Sequence, residues 1–220
     1  MVKKVYYMIP IISIIILFSV KEGVIANPQN TSPSFEGRSA EVGYKSMEVS
    51  IKEFENPKEG IIANPQNTPP SFEGKFTEVG YKSMEVSVKE FENHFECDVK
   101  LPKIMPSISF THKFGRFYED KENSMNDSLQ IMFVNKDLRE NIYKIDIRSL
   151  KNKLSFKDKL NFKGKEYTLQ DGSKAIYFED HLFNFFVFEK NNLQYILGIH
   201  KKVSNKETFD TLVRIANSVK

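Results

Sequence analysis

The 220-residue chain has no tryptophan and a single cysteine, Cys97, so neither an intramolecular disulfide nor a cysteine-built metal cage can form. Its four histidines (His94, His112, His181 and His200) are spread along the sequence without ligand spacing. There is no Gly-x-Ser-x-Gly, no His-Glu-x-x-His, no phosphate-cradling glycine loop and no dinucleotide fingerprint. The ten glycines are too few and too scattered to hinge a catalytic lid. These absences point away from an enzyme, and no metal or cofactor is expected. Bulk for a core comes instead from 19 phenylalanines and 9 tyrosines.

The overall charge of +3 hides an asymmetry. Residues 27–98 carry 7 basic against 13 acidic side chains, a net −6, whereas residues 99–220 carry 22 against 15, a net +7. Charge so unevenly divided marks separate units, able to attract each other or to face an anionic surface. Cys97, between Glu96 and Asp98, is expected to resist ionisation because like charge disfavours the thiolate. For the same reason it makes a poor nucleophile with His94 or His112.

The first 26 residues have the layout of an export signal. Lys3 and Lys4 precede an apolar run from Val5 to Val20, and Val24-Ile25-Ala26 supplies small or β-branched residues before a cut after Ala26. The run of 16 is shorter than the roughly 20 residues that span a bilayer untilted. Cleavage is therefore favoured over retention as an N-terminal anchor. No cysteine lies near the cut to carry a lipid.

Residues 22–58 and 59–95 are two copies of a 37-residue unit that differ at 8 positions. Two copies are fewer than a stacked solenoid needs, and the unit begins inside the leader, so a duplication of coding sequence explains it best. Each copy opens with a Pro/Gly-punctuated stretch expected to be extended. It continues with Met47, Val49 and Ile51 (Met84, Val86 and Val88 in the second copy), which alternate like a half-buried strand. Met47, Ile51 and Phe54 equally fit one face of a helix. Residues 27–98 thus read as an acidic tandem-repeat stalk of low structure, with the second copy placed to dock on the C-terminal domain.

From residue 99 onward the texture becomes closely spaced apolar alternation. Ser128–Asn135, Ile142–Arg148, Asn161–Gln170, Lys174–Glu179, Phe183–Glu189 and Gln194–His200 read as strands. Asp171-Gly172 and Asn191-Asn192 supply turns, the latter making 183–200 a hairpin. Ser204-x-x-Glu207 reads as a capping box opening a helix that sets Phe209, Leu212, Val213, Ala216 and Val219 on one face. The expected fold class is α+β: an antiparallel sheet of five or six strands packed by a C-terminal helix, spanning residues 99–220.

Residues 165–199 (KEYTLQDGSKAIYFEDHLFNFFVFEKNNLQYILGI), closed by LVRIANSV at 212–219, resemble the C-terminal signature of a domain of unknown function. Leu101-Pro102 and residues 111–115 (THKFG) resemble its opening. That family occurs in extracytoplasmic proteins of low-GC Gram-positive bacteria, some of them anti-sigma or sensor-like membrane proteins. The resemblance implies an envelope sensing or binding role and transfers no catalytic residue.

Two stretches carry chemistry. Between Lys144 and Lys165 eight basic residues face only Asp146 and Asp158, and in an extended chain Lys151, Lys153, Lys157 and Lys159 share one face while Leu154, Phe156 and Leu160 take the other. This is a candidate anion-binding stripe for a cell-wall polymer, a membrane surface or an envelope protein; lysines guarding a strand edge against aggregation are the plainer alternative. Nucleic acid is not an expected partner outside the cell. The second stretch is Glu179-Asp180-His181, which would serve an envelope hydrolase only if held in a concave site. A regulatory partner-binding domain is the remaining reading.

Overall fold

The computed structural model describes residues 70–122, 126–156 and 163–220. The leader, the first repeat copy, Lys157, Lys159 and Leu160 lie outside the described residues. Two helices, α1 (Phe72–Glu78) and α2 (Met84–Phe95), come first, followed by strands β1 (His112–Tyr118), β2 (Ser128–Val134) and β3 (Ile142–Ser149). After a short 3-10 turn at Leu150–Asn152 come β4 (Lys165–Thr168), β5 (Lys174–Glu179), β6 (Phe183–Lys190), β7 (Leu193–His200) and helix α3 (Thr208–Asn217).

All seven strands form one antiparallel sheet in the order β1-β2-β3-β7-β6-β5-β4. Two meanders, β1 to β3 and β4 to β7, meet where β3 pairs with β7. The architecture is therefore α+β with a C-terminal helix on the sheet, and the strand count is seven rather than five or six. The additional strand is β1, whose central Gly115 interrupts the apolar alternation that marks the others.

The expectation of a low-structure repeat also needs correction over residues 72–95. Ser71 Oγ accepts the Gly74 amide at 3.0 Å and Ser83 Oγ accepts the Val86 amide at 3.3 Å, so each helix starts on a serine cap. Glu96 in the left-handed conformation (φ 48°) ends α2. The ambiguous alternation resolves as helical: Phe91 is fully buried, Met84 and Val88 pack beside it, and Val86 is exposed.

The sheet has two apolar faces. On the first, α2 and α3 cover Leu129, Ile131, Tyr143, Ile145, Tyr195 and Leu197 with Phe91, Leu212, Ile215 and Ala216. Phe209 of α3 meets Tyr177 edge-on at 5.2 Å. On the second face, Phe76 and Tyr81 gather with Met132 and Val134, and Leu154 and Phe156 with Phe178, Phe185 and Ile196.

The hairpin between β6 and β7 turns on Asn191 and Asn192, at φ 52° and 60°, and Gly172 (φ 84°) turns β4 into β5. The start of α3 differs from the expected box. Asn205 Oδ1 accepts the Glu207 amide at 2.9 Å and Thr208 Oγ1 accepts the Asn205 amide at 2.8 Å, a reciprocal turn that leads into the helix, whose N-cap, Glu207, makes no side-chain cap bond. Ser204 Oγ instead accepts from Asn184 Nδ2 at 2.7 Å and donates to the His200 carbonyl at 3.1 Å.

Candidate functional site

Strand β3 carries an unusual row on the second face. Lys144, Asp146 and Arg148 project from alternate positions, where an outward strand face would meet water. Here they are 6, 1 and 1% exposed. Burying charge is costly unless it is paired. The Arg148 Nε lies 3.2 Å from Asp146 Oδ1. Lys144 Nζ stands over the rings of Phe183 and Phe185, 4.1 and 4.8 Å from their centroids. Gly198 of β7 makes room for that lysine, since a Cβ there would come within 3.0 Å of Lys144 Cε and of Phe185 Cε1.

Two glutamines flank the row and hold its covering segments. Gln130, opposite Asp146 on β2, accepts the Tyr81 hydroxyl at 3.2 Å. Gln194, opposite Arg148 on β7, accepts the Leu154 amide at 2.8 Å and donates to the Leu154 carbonyl at 3.0 Å. The segments 72–81 and 153–156 are thus pinned on either side of a row that holds two basic side chains and one carboxyl group. Burial pushes the Asp146 carboxyl above its ordinary range, opposed by the attraction of Arg148 and Lys144. The Nη1 of Arg148 is buried and donates to nothing among the described residues.

The basic stretch continues from this row to the surface. Residues 151–156 alternate exposed and buried, with Lys151 and Lys153 outward and Leu154 and Phe156 inward. Leu150–Asn152 is a 3-10 turn, so Lys151 does not sit on an extended strand. Lys153 pairs with Glu189 at 3.0 Å. Lys151, Lys163 and Lys165 are exposed.

Glu179, Asp180 and His181 lie where β5 turns into β6. Glu179 pairs with Lys201 at 3.3 Å and Asp180 with His181 at 3.0 Å, and the His181 side chain is 66% exposed. Among the described residues no group of three or more His, Cys, Asp and Glu side chains is placed to hold a metal ion. Partial burial, then the charges of Glu92 and Asp98, push the Cys97 thiol up. Lys144 and Arg148 were legible in the sequence as members of the basic stretch, but their burial was not, because one covering segment, 72–81, comes from far along the chain and the other, 153–156, folds back over the strand it follows.

Comparison with protein-family models, curated proteins and solved structures finds no match for this chain. The molecule by itself offers a seven-stranded α+β domain with a buried charged row leading into an exposed basic segment. No helix among the described residues is long and apolar enough to cross a membrane.

Proposed function

We propose that this chain is an exported, non-catalytic binding module of the cell envelope that recognises an anionic partner through the basic stretch after β3. The observation that carries the reading is the set of exposed lysines, Lys151, Lys163 and Lys165, which have no carboxylate partner among the described residues. In the same stretch Glu189 neutralises only Lys153. Uncompensated cations clustered on one segment raise the local concentration of anions and quicken their capture. The buried Lys144 and Arg148 add fixed positive charge behind that surface. The leader at residues 1–26 supports export, which makes an anionic wall polymer or lipid headgroup the natural partner class.

The test is retention on anionic wall polymer across a salt series, using the full chain and a variant with Lys151, Lys153, Lys157 and Lys159 all replaced by glutamine. Retention that weakens with salt and is lost in the variant is expected. Undiminished retention of the variant rejects the basic stretch as the binding surface. N-terminal sequencing of protein from fractionated cells tests export independently; recovery inside the cell with Met1 intact rejects it.

A further inference from the structure

The surface that α1 and α2 occupy is built to accept one short sequence, and the chain contains that sequence twice. Tyr81 is 3% exposed and bonded to Gln130. Lys82 exchanges backbone hydrogen bonds with Gly115 of β1, at 2.8 and 2.9 Å, closing the outer edge of the sheet. Met84 and Ser87 press against the bare face of Gly115, and Phe91 enters the core beneath. Thirty-seven positions earlier stand Tyr44, Lys45, Met47, Ser50 and Phe54, identical at each of these docking positions. Between residues 78–93 and 41–56 the only difference is Ile51 in place of Val88.

We propose that residues 35–54 are a spare copy of the docking segment and take this same surface, within the same chain, when residues 72–91 release it. The duplication that produced the repeat would then have produced an exchange. A slip by one repeat adds 37 residues to the connection between the exchanged segment and Glu96, and the entropy of closing a loop grows only slowly with its length. The tether keeps the spare at high effective concentration. A cut after Ala26 leaves the spare in the mature chain.

Two substitutions explain why the second copy holds the site. Phe76, stacked on Phe114 at 4.1 Å, is Ser39 in the first copy, and Phe95, packed beside the core, is Lys58. The spare lacks both aromatic anchors, so it is the weaker occupant. It needs the resident copy to be weakened before it is populated.

Hydrogen exchange of the full chain, read on peptides covering residues 44–54 and 81–91, tests this. The Ile51/Val88 difference separates the two peptides by mass. In Phe91→Ala, and in the milder Phe91→Leu, protection should leave residues 81–91 and appear at residues 44–54. Exchange at 44–54 should slow at least about tenfold relative to the unsubstituted chain, since only a bonded, buried amide is so protected. Adding Phe54→Ala should abolish the new protection, while Phe54→Ala alone changes nothing at residues 81–91. Sedimentation should show a monomer throughout. The proposal is overturned if residues 44–54 stay unprotected in the folded Phe91 variants. It is equally overturned if both variants unfold despite an intact first copy, or if the protected species is a dimer.

Discussion

Ser87 of α2 and Gly115 of β1 stand so close that a Cβ built on Gly115 would lie 2.8 Å from the Cβ of Ser87 and 2.8 Å from the Cα of Met84. Here glycine serves contact rather than backbone freedom: a small residue on each element lets the helix lie against the sheet. Because one of the atoms met is backbone, the clash has no rotamer to relieve it. Gly115→Ala should push α2 off the sheet and cost about 1–3 kcal/mol. Urea unfolding measures the loss, and an unchanged midpoint would refute the close packing.

Phe76 is one of the two aromatic anchors that the first repeat copy lacks. It is 4% exposed, stacked on Phe114 at 4.1 Å and edge-on to Tyr81 at 5.6 Å. Phe76→Ser, which writes the residue of the first copy into the second, should cost about 3 kcal/mol or more, from lost burial and from the cavity left behind. The same urea measurement checks it. A loss under about 1 kcal/mol would mean that α1 contributes little to holding the second face.

The elements read most easily from the chain are those whose signals are local. The hairpin at 183–200 combines alternation with two asparagines suited to its turn, and both signals lie within one stretch of chain. Helix α3 was equally visible, although Ser204 does not cap it, because Ser204 is drawn to Asn184 on a neighbouring strand and the helix starts after Glu207. β1 was harder, since its middle residue is the glycine that α2 requires. The segment at 84–95 fitted both periods, and burial of Phe91 under the sheet decided for the helix. The charged row was invisible for a different reason. Lys144, Asp146 and Arg148 have the pattern of a wet strand face, and only the distant Tyr81, bonded to Gln130, and the fold-back of Leu154 onto Gln194 show that it is covered.

Asn191 and Asn192 hold the left-handed conformation that the two-residue turn demands. Asparagine tolerates this region and a β-branched residue does not. Asn191→Val should therefore lose about 1–2 kcal/mol. Asn191→Gly, free of that strain, should stay within about 0.5 kcal/mol of the parent. Thermal unfolding of the two variants side by side makes the comparison, and equal melting temperatures would contradict the turn geometry.

The buried Asp146 makes an unusual contribution to the pH dependence of stability. Its carboxyl faces Arg148 and Lys144 from its own strand and Gln130 from β2, yet burial dominates and raises it above its ordinary value of 3.8. The folded chain therefore keeps the Asp146 proton at pH values where the unfolded chain has released it. Between those two values the native state binds more protons, so this group's contribution is fully present below 3.8 and falls as pH rises towards the folded value. That sign is opposite to the one for surface carboxylates such as Glu85, whose hydrogen bond to Lys113 at 2.5 Å lowers it and whose contribution is lost on acidification. Asp146→Asn, which mimics the protonated acid and cannot titrate, separates the two. The stability of the parent minus that of Asp146→Asn, from urea unfolding at steps between about pH 3 and about pH 7, should decline as pH rises. A difference that grows with pH would instead mean that attraction to Arg148 and Lys144 outweighs the cost of burying the charge, and that the row holds its carboxylate ionised.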